Sequence, residues 1–229
     1  MIFAVELDLD EELHRYKRLA PLLTVRRRQQ IQGFHREADR VRSAFAGVLS
    51  QYAVAQFSGL GLGEMTVAFA PNGKPEIATT ARIHFNLSHA GCWVVCIVDR
   101  TPVGVDIERI RPISAEEYAA ACTPAEIEIL ERQRTEQDRA RMFCRIWTVK
   151  ESYLKATGAG LTANLADLTV RFDADGSPSI VSTAIGGIDH RWVLQQCTTQ
   201  DSYVMSAASG RAENLVDVVD VDRLYSLVQ

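Results

Sequence analysis

An internal repeat restricts the folds that are open to this chain, because two stretches about 100 residues apart show the same features in the same order. The matching positions are, in chain order, "VELD" at 5–8 with "VDIE" at 105–108, Tyr52 with Tyr153, Ala55 with Ala156, and "GL" at 59–60 with "GL" at 160–161. Matches that keep a constant order favour two structurally related halves. The alternative is a chance likeness between two α+β segments.

Each half alternates between strand-like and helix-like patterns. In the first half we predict a strand at 2–9, helices at 11–33 and 36–57, and strands at 65–70, 82–88 and 92–98. In the second half, after a strand that contains "VGVDIE", we predict helices near 114–121, 124–133 and 136–156 and strands near 167–172, 178–182, 191–197 and 202–208. The predicted fold class is therefore α+β, with an N-terminal half at 1–101 and a C-terminal half at 102–229. The second half includes a short C-terminal extension whose position the sequence does not indicate.

Charge and composition narrow the possible partners. A formal net charge of −4 gives no general attraction to nucleic acid or to an anionic membrane. The acidic run "ELDLDEEL" at 6–13 stands where a signal peptide needs basic and apolar residues, and no later apolar run approaches the ~18 residues of a membrane span. We expect a cytoplasmic protein with no nucleic-acid or membrane partner, in which a local cluster of basic residues holds any anionic ligand.

The stretch "VGVDIE" contains two carboxylates that we expect on one face of a strand. Asp106 and Glu108 are two residues apart, so both project to the same side while Val105 and Ile107 point the other way. Oxygen ligands of this kind suit a hard cation such as Mg²⁺. A solvent-facing strand with the same pattern is the alternative.

The stretch "WTVKESYLKATGAGL" at 147–161 places charged residues on a helix that also carries aromatic and aliphatic side chains. Glu151 would supply a third carboxylate if this helix packs across the strand of Asp106. Lys155 lies four residues after Glu151 on the same helix face, so a simple ion pair between the two is also open. The sequence indicates no role for Lys150.

Two further stretches could bind an anion. "FNLSHAG" at 85–91 puts Ser88 near the end of a strand, followed by His89, and "NGKP" at 72–75 is a turn in which Pro75 restricts Lys74 to extended backbone. Adjacent Ser and His residues on a strand point apart and do not form a hydrolase dyad. The arginines of the first half, Arg26, Arg27, Arg28, Arg36, Arg40 and Arg42, cover a solvated helix surface or else face an anion.

Taken together, "VGVDIE", "WTVKESYLKATGAGL", "NGKP" and "FNLSHAG" resemble the motifs of the 4'-phosphopantetheinyl transferases of the long, surfactin-synthetase-activating type. The resemblance extends from the N-terminal strand to about residue 208. It implies a pseudo-dimer of two α+β halves with the active site in the cleft between them. It also implies a monomer, unlike the trimeric holo-acyl-carrier-protein synthases of about half this length.

The resemblance further implies a reaction and its participants. The enzyme would transfer the 4'-phosphopantetheine arm of coenzyme A to a serine of an apo acyl-, peptidyl- or aryl-carrier protein, with Mg²⁺ or alternatively Mn²⁺. The pathway served, whether fatty acid, polyketide or nonribosomal peptide biosynthesis, is not indicated. Two other functions stay open, a Mg²⁺-dependent hydrolase of a nucleotide pyrophosphate and a non-catalytic protein that binds coenzyme A or carrier proteins.

Roles for individual residues follow from the same resemblance. The metal ligands would be Asp106, Glu108 and Glu151, with Glu151 also accepting the serine proton and Lys155 contacting the pyrophosphate. The other coenzyme A contacts would be Arg27, Ser43, Lys74, Pro75, Ser88 and His89. Relatives often carry a second basic residue three positions after the one that matches Arg27, where this chain has Gln30. Arg26 and Arg28 are the neighbours that could compensate for it.

Overall fold

The chain divides into two units, Met1–Thr101 together with Glu213–Gln229, and Pro102–Ala212. The computed structural model describes residues 1–62, 65–69, 75–78, 83–159, 164–199, 202–211 and 215–228. Both units combine helices with largely antiparallel sheets. The prediction of an α+β fold with two halves is confirmed.

In the first unit, one long helix packs against a sheet whose described strands lie in the order Val216–Val218, Ile2–Glu6, Trp93–Asp99 and His84–Ala90. Its strands are β1 (Ile2–Glu6), β2 (Thr66–Phe69), β3 (Pro75–Ala78), β4 (His84–Ala90), β5 (Trp93–Asp99) and β12 (Val216–Val218), and its helices are α1 (Leu9–Arg15), α2 (Val25–Gly33), α3 (Glu37–Ser58) and α7 (Val221–Tyr225). Helix α3 supplies much of the core, including Phe45 and Leu49, which are fully enclosed.

The prediction of one continuous helix at 11–33 is wrong. The structure divides this stretch into α1, a 3₁₀ helix at Tyr16–Leu22 and α2. Pro21 lies inside the 3₁₀ segment, and proline lacks the backbone N–H that an α-helix interior requires. Helix α2 then begins anew because the Thr24 side chain accepts a hydrogen bond from the Arg27 backbone N–H at 3.2 Å.

The second unit repeats this order of elements. Its strands are β6 (Gly104–Arg109), β7 (Leu168–Phe172), β8 (Pro178–Ser182), β9 (Gly187–Ile188), β10 (Val193–Thr199) and β11 (Tyr203–Ser209), and its helices are α4 (Ala115–Ala121), α5 (Pro124–Glu131) and α6 (Glu136–Thr157). In both units the first strand pairs antiparallel with the last strand of a hairpin, β1 with β5 and β6 with β11.

The long helices α3 and α6 show the repeat most clearly. Each has 22 residues, and each ends at a glycine with positive φ, 75° at Gly59 and 74° at Gly158. Their first residues are 99 positions apart, as are their last. The offset of 101 inferred from the tyrosine and alanine matches is therefore two residues too long for this helix.

The C-terminal segment packs on the first unit, whereas the sequence-based division attached it to the second half. Strand β12 runs parallel to β1, with Ile2 opposite Val216. The Tyr225 ring lies edge-on to Phe45 at 5.8 Å, and its hydroxyl donates a hydrogen bond to buried Glu12. These contacts join residues that are at least 180 positions apart in sequence, so no local pattern could have indicated them.

Helix α6 approaches the start of β6 closely, and Gly104 makes this approach possible. A Cβ atom at this position would lie 2.0 Å from the Ser152 carbonyl oxygen and 2.5 Å from the Ala156 nitrogen. Both neighbours are backbone atoms of α6, so no side-chain movement can relieve the clash.

We expect Gly104→Ala to destabilise the protein by about 1–3 kcal/mol or more, because the helix must move away from the strand. Urea denaturation measures this loss. Gly187→Ala is the matched control in the same unit, since nothing lies within 4 Å of a Cβ added there. Equal stability of the two variants would contradict the close approach.

Candidate active site

Strand β6 and helix α6 bring together four residues that the sequence singles out: Asp106, Glu108, Glu151 and Lys155. Gly104 and Asp106 both contact α6, which shows that this face of β6 lies under the helix. Val105 and Ile107 are buried at 0% and 2% exposure. The strand therefore presents its carboxylates to the helix, and its aliphatic residues alternate with them.

Lys155 pairs with the strand carboxylate and not with its helix neighbour. Its Nζ donates to Asp106 Oδ1 at 2.6 Å and to the Val105 carbonyl oxygen at 3.1 Å. Asp106 is only 4% exposed, so this charge is held inside the protein by the lysine. The described side chains show no Glu151–Lys155 salt bridge, so the alternative of a simple i,i+4 pair is not what the structure contains.

Glu108 lies in an environment that disfavours its charged form. Burial, followed by the nearby negative charge of Asp106, raises the pKa of Glu108 to about 7. Lys155 and a hydrogen bond from Trp147 act in the opposite direction. Trp147, which sequence reasoning left without a role, thus favours the charged form of Glu108. In the sequence, its position four residues before Glu151 is the signal that could have indicated a role for Trp147 at this site.

Glu151 is a half-buried carboxylate on α6. Burial raises its pKa, Asp106 raises it further, and Lys155 lowers it. Asp106 therefore acts electrostatically on both Glu108 and Glu151. Because Asp106 disfavours the charged forms of both other carboxylates, added positive charge is stabilising at this site.

These three carboxylates do not converge closely enough to form a ready-made metal site. Within the ranges that the structure describes, no group of three His, Cys, Asp or Glu side chains is placed to hold a metal ion. The ammonium group of Lys155 lies against Asp106 instead. The donor set nevertheless suits Mg²⁺ in its chemistry, because it consists of carboxylate oxygens alone and because burial and mutual repulsion favour a nearby cation.

Lys150, for which the sequence indicates no role, forms a buried ion pair away from these groups. Its Nζ donates to Glu126 Oε2 at 2.7 Å, to the Ala121 carbonyl at 2.9 Å and to the Leu165 carbonyl at 3.2 Å. Glu126 in turn accepts from the Val170 N–H at 2.7 Å. Both charged side chains are 0% exposed. Lys150 therefore ties α6 to α5 and β7, and its role is structural.

We expect Lys150→Met to lower the free energy of unfolding by about 3–5 kcal/mol, because it leaves the buried Glu126 carboxylate without its partner. Lys150→Met with Glu126→Gln should recover part of the loss, since the buried charge is gone. Chemical denaturation measures both.

Arg132→Met is the control for that experiment. Its pair with Glu128, at 3.2 Å, is largely exposed on both sides, and such pairs contribute about 0–1 kcal/mol. A loss at Lys150 no larger than the loss at Arg132 would show that the buried pair is not what stabilises this region.

In the first unit, the structure brings Arg27 and Ser43 together. Arg27 Nη1 donates to Ser43 Oγ at 3.4 Å, and α2 packs on α3 at this point. Ser43 is 2% exposed. Burial lowers the pKa of the Arg27 guanidinium, which means that its charge is poorly solvated. A desolvated arginine beside a buried hydroxyl is suited to bind an anion.

Most neighbouring arginines already bind backbone or side-chain oxygens. Arg28 donates to the carbonyls of Ala20 and Leu23, at 2.9 Å and 2.8 Å, so its guanidinium stabilises the turn before α2. Arg40 likewise donates to the Phe34 carbonyl, and Arg42 donates to Asp39 and to the Gly91 carbonyl. Arg28 is therefore a poor substitute for the basic residue that Gln30 replaces.

The other candidate residues of the first unit lie on or beside the β3 and β4 strands. Ser88 pairs with Val95, and exposed His89 pairs with Val94 near the end of β4. Pro75 begins β3, opposite Phe69. Lys74 lies outside the described residues.

No helix in the described part of the chain combines the length and the apolar sequence that a membrane span requires.

Two family models match the chain, one for each half. The model described as "4'-phosphopantetheinyl transferase superfamily" matches residues 102–208. The model described as "4'-phosphopantetheinyl transferase, N-terminal" matches residues 11–101. Together these matches include every candidate site residue.

Individual relatives point the same way. The 4'-phosphopantetheinyl transferase psf-1 of Bacillus pumilus is 34% identical over 231 residues, covering 94% of this chain and 97% of that protein. A 4'-phosphopantetheinyl transferase of Bacillus subtilis is 30% identical over 179 residues, covering 78% of this chain and 80% of that protein. A Bacillus anthracis holo-(acyl-carrier-protein) synthase structure in complex with CoA (3',5'-ADP) is 17% identical, with a TM-score of 0.39, and the match covers 47% of this chain and 93% of that chain.

The two family models define the class of protein, a phosphopantetheine transferase built from two halves. The chain belongs to the 4'-phosphopantetheinyl transferase family. The family resemblance predicted from the motifs is thereby confirmed.

Proposed function

We propose that this protein transfers the 4'-phosphopantetheine arm of coenzyme A to a serine hydroxyl of an apo acyl-, peptidyl- or aryl-carrier protein. Family membership supports the reaction. The observation that carries the assignment to particular residues is the single site formed by Asp106, Glu108, Glu151 and Lys155, in which one lysine lies among three carboxylates.

Mg²⁺, or Mn²⁺ in its place, would be held by Asp106, Glu108 and Glu151. When bound, such an ion supplies positive charge next to the phosphate oxygens on which negative charge develops. The carboxylate chemistry of the three residues supports this assignment, and so does the effect of Asp106, which disfavours the charged forms of Glu108 and Glu151.

Lys155 is proposed to contact the pyrophosphate of coenzyme A. Its side chain is 27% exposed, so it is accessible to a ligand while its contact with Asp106 keeps it near the carboxylates. A positioned ammonium group stabilises phosphate oxygens most in the transition state, where their charge increases.

The proton of the attacking serine is proposed to pass to Glu151, directly or through a water molecule. The serine oxygen forms a bond to the β-phosphorus, and the bond from that phosphorus to the bridging oxygen breaks. Adenosine 3',5'-bisphosphate leaves with the electron pair of the broken bond. The carrier protein retains the phosphopantetheine arm, so atoms and charge balance.

Coenzyme A contacts in the first unit are proposed at Arg27, Ser43, Lys74, Pro75, Ser88 and His89. Arg27 and Ser43 have direct support, because a poorly solvated guanidinium and a buried hydroxyl lie together. An anionic group such as the 3'-phosphate suits this pair. With Arg28 engaged by backbone carbonyls, Arg27 would bear more of this interaction than in relatives with two basic residues.

We also propose that the protein acts in the cytoplasm as a monomer. The presence of both repeated halves in one chain supports the monomer.

The decisive experiment incubates the protein with coenzyme A, Mg²⁺ and a panel of apo carrier domains, and follows intact carrier mass. We expect a gain of one phosphopantetheine group that requires the carrier serine. Release of adenosine 3',5'-bisphosphate without any modified carrier would instead indicate a pyrophosphate hydrolase. Binding of coenzyme A with neither product would indicate a non-catalytic protein.

Glu151→Gln and Lys155→Ala should each lower transfer by about 10²-fold or more, because each removes a group that acts in the transition state. The assay uses saturating Mg²⁺, and circular dichroism checks the fold. Glu136→Gln, at the exposed start of the same helix, and Lys17→Ala, on the surface of the first unit, are the controls. Transfer at the level of the unsubstituted protein in either site variant would overturn its assigned role.

A further inference from the structure

A row of polar residues crosses the sheet β10-β11-β6 on the side that faces α6. Gln196 on β10 lies opposite Ser206 on β11, and Ser206 lies opposite Asp106 on β6. Residues directly opposite one another in antiparallel strands share a face, with Cβ atoms about 4.5–5.5 Å apart. The row therefore ends at the carboxylate that binds Lys155.

Helix α6 contacts this row through hydrogen bonds whose direction can be assigned. Arg145 Nε, which can only donate, bonds Gln196 Oε1 at 2.6 Å. The Gln196 amide nitrogen then donates to Ser206 Oγ at 2.9 Å and to the Arg145 carbonyl at 2.9 Å. Because Ser206 Oγ accepts this bond, its own proton is available for Thr148 Oγ1 at 2.7 Å.

The chain of hydrogen bonds ends within α6. Thr148 Oγ1 donates to the Cys144 carbonyl at 2.8 Å, so every hydroxyl in the series both donates and accepts. Thr148 is 0% exposed and Ser206 is 1% exposed. Buried polar groups of this kind are costly to leave unpaired, which makes the arrangement specific to one position of the helix.

Thr148 lies on the same stripe of α6 as the proposed catalytic groups, three residues before Glu151 and seven before Lys155. Apolar packing is non-directional and tolerates small sliding of a helix over a sheet. The Thr148–Ser206 hydrogen bond does not tolerate it. Together with the close approach at Gly104, it holds the helix at two points along its length.

We propose that Thr148, Ser206 and Gln196 are positioning residues. Their hydrogen bonds prevent α6 from sliding over the sheet that carries Asp106, and they thereby place Glu151 and Lys155 for phosphopantetheine transfer. This inference rests on the proposed function. None of the three touches the reacting atoms. A displacement of about 1 Å in such a site can lower the rate by about 10²-fold, so a small slide of α6 suffices for a large effect.

The test compares two substitutions of one residue. Thr148→Val keeps the shape and removes the hydroxyl, whereas Thr148→Ser keeps the hydroxyl and removes a methyl group. We expect Thr148→Val to lower kcat about tenfold or more and to weaken coenzyme A binding measurably by calorimetry, while Thr148→Ser stays within about threefold of the unsubstituted protein. Ser50→Ala is the control, since Ser50 is a buried helical hydroxyl bonded to the Gly47 carbonyl of its own helix.

A double variant separates positioning from general stability. Thr148→Val with Ser206→Ala removes both hydroxyls, and Gln196 keeps the Arg145 carbonyl as an acceptor. Since no buried hydroxyl is then left unpaired, the thermal midpoint of the double variant should be higher than that of Thr148→Val. Transfer, assayed well below both midpoints, should remain about tenfold low. Recovery of transfer together with the midpoint would overturn the proposal.

The outcome remains interpretable if the proposed function is wrong. A protein that modifies no carrier overturns that function, and calorimetry with coenzyme A and Mg²⁺ then tests the hydrogen-bonded row by itself. Weaker binding in Thr148→Val than in Thr148→Ser supports the positioning role. Equal binding in the two variants, or no coenzyme A binding by the unsubstituted protein, overturns it.

Discussion

The packing of α6 on β6 is the constraint on which the proposed site depends. Gly104 lets the backbone of the helix come so close to the strand that even a methyl group at this position would clash with it. At this separation Lys155 reaches Asp106, and the Asp106 carboxylate raises the pKa of Glu151 on the helix. If a side chain separated the helix from the strand, the distances from Asp106 to Lys155 and to Glu151 would both be longer.

A single helix carries two lysines whose environments assign them different tasks. Lys150 is fully enclosed and satisfied by Glu126 and two carbonyl oxygens, so it stabilises the packing of its own unit. Lys155 is partly exposed beside Asp106 and is accessible to a ligand. Five residues separate them, which places them on different faces of α6. Burial and partner identity, rather than residue type, distinguish a structural ammonium group from a functional one.

Much of the fold could be predicted from local patterns. The predicted helix at 136–156 corresponds to α6, because capping, periodicity and a terminal glycine all act within a few residues. The helix predicted at 11–33 failed where Pro21 and Thr24 interrupt it. Asp106, Glu108, Glu151 and Lys155, the residues of the proposed site, were singled out as candidates from their spacing in the motifs. Trp147 and Gly104 were not, because their importance lies in what they contact.

By itself, the sequence determined the family, the two-part α+β organisation and the identity of the charged residues in the motifs, since all of these depend on residue types at short, constant spacings. Only the tertiary structure decided how those charges are paired: Lys155 with Asp106, Lys150 with Glu126, and Arg28 with backbone carbonyls. It also assigned the C-terminal segment to the first unit. The physical reason is that hydrogen bonds and ion pairs join residues from 5 to more than 200 positions apart here, and their energies depend on burial, which no local pattern specifies.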